Sequence, residues 1–251
     1  AQFHPLKFLS GIAQNIKIYE QTMVLSIEDD KVITNNGNVT AERVVVATHY
    51  PFINAPGYYF LRMHQERSYV IALENAVQLD GVYYGIEEGE PSLRNSGEFL
   101  LVGGGAHRTG ENSAGGKYGN LRKTAQKFFP NGREVANWSA QDCMTLDGVP
   151  YIGQYSSSTP NLFVATGFGK WGMTTSMVSA MIISDLIQDK PHPYEIFSPQ
   201  RFKPSVSAKS LMDEAAHAVK GLSSGIFNIP DAKLNDIPSG HGGLIEHDGQ
   251  K

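Results

Sequence analysis

The stretch that decides the fold runs from Asn161 to Ile187, NLFVATGFGKWGMTTSMVSAMIISDLI. Leu162 to Thr166 has the composition of a short strand buried on both faces. Trp171 to Gln188 reads as the longest helix, stopped before Pro191 and Pro193. Between them Gly167, Gly169 and Gly172 spell G-x-G-x-x-G. A dinucleotide fingerprint of that form needs a βαβ unit whose second strand ends in an acidic residue about 20 residues on. Here the helix runs into DKPHPYEIFSPQRF, whose prolines exclude a central parallel strand, so the dinucleotide reading is rejected. What stays is a buried strand turning through glycines into a helix whose first amides are unpaired, a place suited to an electron-rich group. Spacing alone favours a set of glycines used only for a tight strand-to-helix turn.

Upstream, NIKIYE, MVLSIED, KVITNN and NVTAERVVVAT read as four short β segments, with a hairpin turn at Asn35, Asn36 and Gly37 and a buried parallel strand over Arg43 to Ala47. From about residue 58 to 103, FLRMHQERSYVIAL, GVYYGIEEG and EFLLVGGG read as strands of an antiparallel sheet, a second lobe. A helix is expected over Asn120 to Phe129, closed by a Pro130-Asn131-Gly132 turn, with a return strand over Glu134 to Ala140. Pro5 with Leu6, Phe8, Leu9 and Ile12 marks an amphipathic helix, Ser205 to Leu222 another, and Ser223 to Pro230 a linker. The chain opens without Met and closes on DAKLNDIPSGHGGLIEHDGQK, short alternations that need partner strands, so a piece of a longer protein is expected.

Composition narrows the function classes. In 251 residues, 41% hydrophobic content is enough for a real core, and a net charge of -4 gives no electrostatic reason to expect nucleic acid. The single cysteine excludes an internal disulfide framework, and no apolar run is long enough for a membrane span. The expectation is a cytoplasmic protein acting on small molecules.

Four blocks then occur in order: AERVVVATHYP from Ala41, WSAQDCMTLDGVPYIG from Trp138, NLFVATGFGKWGMT from Asn161 and FSPQRF from Phe197. Together they resemble the FAD-dependent D-amino-acid oxidase/glycine oxidase superfamily. ERSYVIAL, PSLRNSGEFLLVGGGAHRTGE and the closing residues are more similar to a branch that carries a C-terminal Rieske iron–sulfur domain. The resemblance implies an α/β (α+β) fold. Residues 1–57 and 141–203 would be parts of an FAD-binding domain of βαβ type, and 58–140 an antiparallel substrate lobe. Residues 204–230 would be helix and linker, and 231–251 the first strands of a Rieske-like module. It also implies that the phosphate-cradling G-x-G-x-x-G lies N-terminal to this chain. A Rieske [2Fe-2S] cluster takes two Cys and two His. After residue 220 there are only His241 and His247, so no metal ligand is assigned here.

By the same resemblance the cofactor is FAD, in the full-length parent, contacted by Gly167, Phe168, Gly169, Lys170, Trp171, Gly172, Met173 and Thr174. The helix N-terminus would stabilise the anion of the reduced ring. Val24 would pair with adenine, Thr48 and His49 would follow the strand that passes the pyrophosphate, and Asp147 and Gly148 would form a turn near the ring. Each has a plain alternative as a core, turn or solvated residue. Amino-acid oxidases of the superfamily generally place an arginine where this chain has Asp142, so an amine-like substrate is expected rather than a simple α-amino acid, unless Arg67 or Arg94 supplies the clamp from the antiparallel lobe for an amino-acid-like one. Arg67, Tyr69 and His107 are the candidates for lining the substrate pocket. Three functions follow: a flavin domain passing electrons to an attached Rieske cluster, a simple oxidase that reduces oxygen, or a non-catalytic fragment. An unpaired strand edge would also favour self-association, a homodimer included.

Overall fold

A computed structural model of the chain describes residues 2–28, 30–87, 89–110 and 117–201. The first helix, α1 (Pro5–Ala13), starts on proline, whose missing N–H costs nothing at that position, and the His4 ring accepts from the Lys7 amide at 3.3 Å. NIKIYE, expected as a strand, pairs with no strand among the described residues, and Ile16, Ile18 and Tyr19 stay exposed. A meander follows: β1 (Val24–Glu28), β2 (Lys31–Thr34) and β3 (Gly37–Thr40). Its expected turn at Asn35 and Asn36 is held by the Thr34 hydroxyl, which donates to the Gly37 carbonyl at 2.6 Å. The next strand, β4 (Val44–Val46), is shorter than the apolar run around it.

The second layer is a five-stranded antiparallel sheet. It comprises β5 (Met63–Glu74), β6 (Tyr83–Tyr84), β7 (Ser92–Ser96), β8 (Phe99–Arg108) and β9 (Arg133–Thr145), in the order β6-β7-β8-β5-β9. Between β8 and β9 comes α2 (Tyr118–Phe128), which presses Leu121 and Ala125 onto Tyr69, Ile71, Leu73, Leu100 and Val102. Period-two alternation thus commits the odd-numbered residues of this part of β5 to the helix side. GVYYGIEEG contributes only its two tyrosines as strand, while β9 continues past the expected end at Ala140 to Thr145, unbroken across residues 140 and 141.

The chain then enters a three-stranded sheet, β10 (Tyr151–Gln154), β11 (Leu162–Thr166) and β4, in the order β10-β11-β4. The β11–β4 pair is parallel, as expected, with Val44 opposite Leu162 and Val46 opposite Val164. From its end rises α3 (Gly172–Ile187), whose Ile182 and Ile183 pack on Ile152, Phe163 and Ala165. The expected helix over Ser205 to Leu222, the linker and the Rieske-like strands lie outside the described residues. The architecture is mixed α/β, a parallel-containing sheet backed by a long helix and joined to an antiparallel lobe.

Where the two sheets meet, Val46, Tyr59, Met63, Cys143, Tyr151, Tyr155 and Val164 form a common core. Burial pushes the Cys143 thiol up to about 11, so almost none of it is thiolate at neutral pH. Cys143 is expected to be silent towards an aromatic disulfide reagent at pH 8 in the native protein and to react once the chain is unfolded. Rapid native labelling would contradict its packing.

Candidate functional site

The bend between β11 and α3 works because two glycines take the left-handed region, Gly167 at φ 73° and Gly169 at φ 54°. Its course is fixed at both sides. The Thr166 hydroxyl donates to the His49 carbonyl at 2.5 Å, and the Gly169 amide donates to the Cys143 carbonyl, at 2.9 Å, on the outer edge of β9. Among the described residues no side chain caps α3 and no acidic residue occupies its first turn. The amides of Gly172, Met173 and Thr174 therefore keep the partial positive charge of an open helix terminus.

The bend lies between two cavities. One, of about 660 Å³, is lined by Val45, Ala47, His49, Thr166, Gly167 and Phe168. The other, of about 420 Å³, is bounded by Gly148, Pro150, Gly167, Phe168, Lys170 and Thr174. A Cβ on Gly148 or Gly172 would meet nothing within 4 Å. Open space, uncapped amides and a largely apolar lining fit a flat ring with an electron-rich edge, the shape and charge of a reduced flavin.

The wall opposite the bend is the Asp147–Pro150 turn. Gly148 takes φ 72°, and the Asp147 carboxylate accepts from the Val149 amide at 3.1 Å and from Arg201 Nε and Nη2 at 2.9 Å each. Burial alone would raise the Asp147 carboxyl, but the Arg201 guanidinium and the Val149 amide hold it below the usual carboxylate value. A depressed folded value means the pairing stabilises the fold fully above the unfolded value of about 4 and is lost as pH falls through the folded one. In acid unfolding titrations the stability difference between wild type and Asp147→Asn is expected to be constant above about pH 5 and to shrink progressively as pH falls below the unfolded carboxyl value. A difference persisting in strong acid would refute the pairing.

Lys170 leaves the bend towards the sheet. Its Nζ lies 3.1 Å from Asp142, 3.4 Å from Glu66 and 3.3 Å from the Ser68 hydroxyl. The ammonium is thus directed to two carboxylates rather than to the mouth of the helix. Trp171, the N-cap residue, is 73% exposed.

Arg67, Tyr69 and His107 are brought together, but on the other face of the sheet. Arg67 donates to the Ser139 hydroxyl at 2.8 Å. The Tyr69 hydroxyl lies 2.9 Å from His107 Nε2, and His107 Nδ1 lies 2.8 Å from the Arg108 carbonyl. Nδ1 can only donate to that carbonyl, so in the neutral imidazole Nε2 accepts from the phenol. This trio faces the α2 side, where Tyr69 stacks on His107 and meets Tyr118 edge-on, while Glu66, Ser68 and Asp142 face Lys170. Sequence reasoning missed Glu66 and Ser68. The signal that identifies them is parity, because both alternate with Arg67 and Tyr69 along β5, and Glu66 stands opposite Asp142.

The remaining candidates lie apart from the bend or beside it. Val24 sits on β1, the outer strand of the meander, paired on one side only. The Thr48 hydroxyl donates to the Tyr50 carbonyl at 3.0 Å, and His49, at φ 66°, lines the larger cavity directly after β4. Among the described residues no group of three or more His, Cys, Asp and Glu could hold a metal ion, and no helix is long and apolar enough to cross a membrane.

Comparison with known proteins bears on the family and the fold. The Bacillus subtilis (strain 168) protein YhfW, named for a Rieske 2Fe-2S iron–sulfur centre, is 35% identical across 100% of this chain, which covers 52% of YhfW. A D-amino acid dehydrogenase of Rhizobium rhizogenes is 28% identical over 62% of this chain and 39% of its own length. The crystal structure of glycine oxidase from Geobacillus kaustophilus superposes with a TM-score of 0.62 at 26% identity, covering 74% of this chain and 53% of that one. The chain therefore spans about half the length of the relatives it matches. The model of the FAD dependent oxidoreductase family matches residues 1–186, through the meander, the antiparallel sheet, the glycine bend and nearly all of α3, and the chain belongs to that family.

Proposed function

We propose that the full-length protein is a flavin oxidoreductase that takes a hydride from an amine-like substrate and delivers the electrons to a Rieske-type cluster. The observation that carries the flavin part is the glycine bend, open to cavities on both sides and leading into an uncapped helix terminus. FAD bound there supplies a two-electron acceptor that can release its electrons singly. Gly172, Met173 and Thr174 would offer their amides to the bound group, favouring its reduced state. Gly148 and Pro150 bound the same space from the turn. Glu66, Ser68 and Asp142 gather Lys170, so the cation nearest the bend already has two carboxylate partners. A substrate carboxylate would meet Asp142 instead, whereas a substrate ammonium would be attracted to it. The delivery to a cluster is supported by the full-chain likeness to YhfW.

The test uses the full-length protein under anaerobic conditions. Flavin absorbance is expected on purification, bleaching on addition of a primary or secondary amine, and then the paramagnetic signal of a reduced [2Fe-2S] cluster. A colourless protein that gains no flavin absorbance from added FAD overturns the flavin reading. Bleaching by α-amino acids as fast as by the matching amines overturns the substrate class. Amine-driven oxygen consumption with the cluster left oxidised replaces the transfer by a simple oxidase.

A further inference from the structure

We propose that Arg201 is a positioning residue for the flavin-facing wall: without touching cofactor or substrate, it sets where the Asp147–Pro150 turn stands against the glycine bend. The proposal rests on the flavin reading above, and the test separates the two.

Arg201 distributes its N–H groups over one small region. Nε and Nη2 take the two oxygens of Asp147 at 2.9 Å each, and Nη2 also donates to the Val149 carbonyl. Nη1 donates to the Pro150 carbonyl at 3.0 Å and, more weakly, to the Phe197 and Ser198 carbonyls at 3.2 and 3.3 Å. Four of these six acceptors thus belong to the turn itself. The guanidinium carbon lies 4.1 Å above the Tyr151 ring, and Arg62 approaches the same ring at 4.8 Å. A planar fork satisfying a carboxylate, a row of carbonyls and an aromatic face is work that a lysine's single charged point cannot reproduce.

The wall held in this way has no slack on its other side. Gly148 and Pro150 share the smaller cavity with Gly167, Phe168 and Lys170, while Arg201 lines neither cavity at the bend. The bend is itself fixed, since a Cβ on Gly167 would come within 2.3 Å of the Thr145 methyl. With one side immovable, the width of the space in front of α3 depends on where the turn sits. Arg201 controls that position through bonds that reach no ligand atom, as outer-shell partners do in other cofactor sites.

The experiment compares full-length wild type with Arg201→Lys, and with Arg122→Lys as control. Arg122 makes an equally bidentate pair with Glu134, at 2.7 and 2.8 Å, on the far side of the antiparallel sheet. Arg201→Lys is expected to stay folded, to bind FAD about tenfold more weakly and to shift the flavin midpoint potential, as an outer-shell change does. In the cofactor-free protein the amides of Gly148 and Val149 should exchange faster in this variant. Arg122→Lys should leave all three readouts at wild-type values. Unchanged FAD affinity and potential in folded Arg201→Lys overturn the proposal, even if its melting temperature falls. Should that variant not fold, Asp147→Asn, which keeps the stacking on Tyr151, serves instead. Unchanged affinity and amide exchange there overturn the proposal as well. A wild type that binds no FAD overturns the flavin reading itself, and this proposal with it.

Discussion

Gly167→Ala is expected to destabilise the protein by about 2–5 kcal/mol, the sum of a left-handed backbone forced on a non-glycine residue and a clash in a packed region. Gly167 has φ 73°, and the added Cβ would stand 2.3 Å from Thr145 Cγ2, closer than real atoms approach. Thr145 cannot yield easily. It is 7% exposed, and a β-branched side chain has few rotamers to escape into. Gly172→Ala, five positions along, is the matched control: no atom lies within 4 Å of its new methyl, and the residue is already helical. That substitution is expected to change stability by less than about 1 kcal/mol, in the favourable direction given alanine's helix propensity. Urea unfolding midpoints measure both, and equal effects would mean that the bend is not held as described.

The second large effect is expected at Arg62, which is 5% exposed and lies beneath the junction of the two sheets. Its guanidinium carbon sits 4.2 Å from the Tyr59 ring and 4.8 Å from that of Tyr151, and Nη1 donates to the Pro199 carbonyl at 2.8 Å. Arg62→Ala removes two cation–π contacts and a charged hydrogen bond and leaves a hole, for an expected loss of about 2–4 kcal/mol. Arg62→Lys should recover less than half, because an ammonium cannot lie flat between two rings. The effect should extend to the tyrosines, whose phenols burial drives well above their ordinary value and keeps neutral. Tyr59 donates to the Tyr155 carbonyl at 2.8 Å, and Tyr155 to the Ile53 carbonyl at 2.6 Å. Because Arg62 and Arg201 share the Tyr151 ring, the double alanine variant should lose less than the two single losses added together. Full additivity would show that the ring transmits nothing between them.

The segment from Asn161 to Ile187 was legible because its signals are local: a strand-forming apolar run, glycines at a bend, then helix formers to the end. NIKIYE carried an equally good period-two pattern and is no strand, since alternation describes a segment able to pair and says nothing of a partner to pair with. The converse holds for Tyr151–Gln154, where a four-residue strand containing Gly153 exists because β11 lies alongside it. Site residues show the same division. The bend and the turn at Asp147 were visible as motifs, and the structure places them against one cavity. Arg67, Tyr69 and His107 read as a cluster because they are a cluster, but which face of a strand meets the bend is decided by where α2 packs, a non-local fact. Arg201 read only as the end of a proline-containing block, yet it holds the turn from residues far ahead of it in the chain.

Strand β9 runs for 13 residues from the rim of the antiparallel sheet to the threonine that touches the bend, paired with β5 nearly throughout. It acts as a girder, with no pivot between the part that carries Asp142 and the part that braces Gly167. Neither part can swing away from the other without breaking a ladder of backbone bonds. Any movement between these two parts must therefore come from loops or helices at the periphery, and their relative placement is inherited from the scaffold.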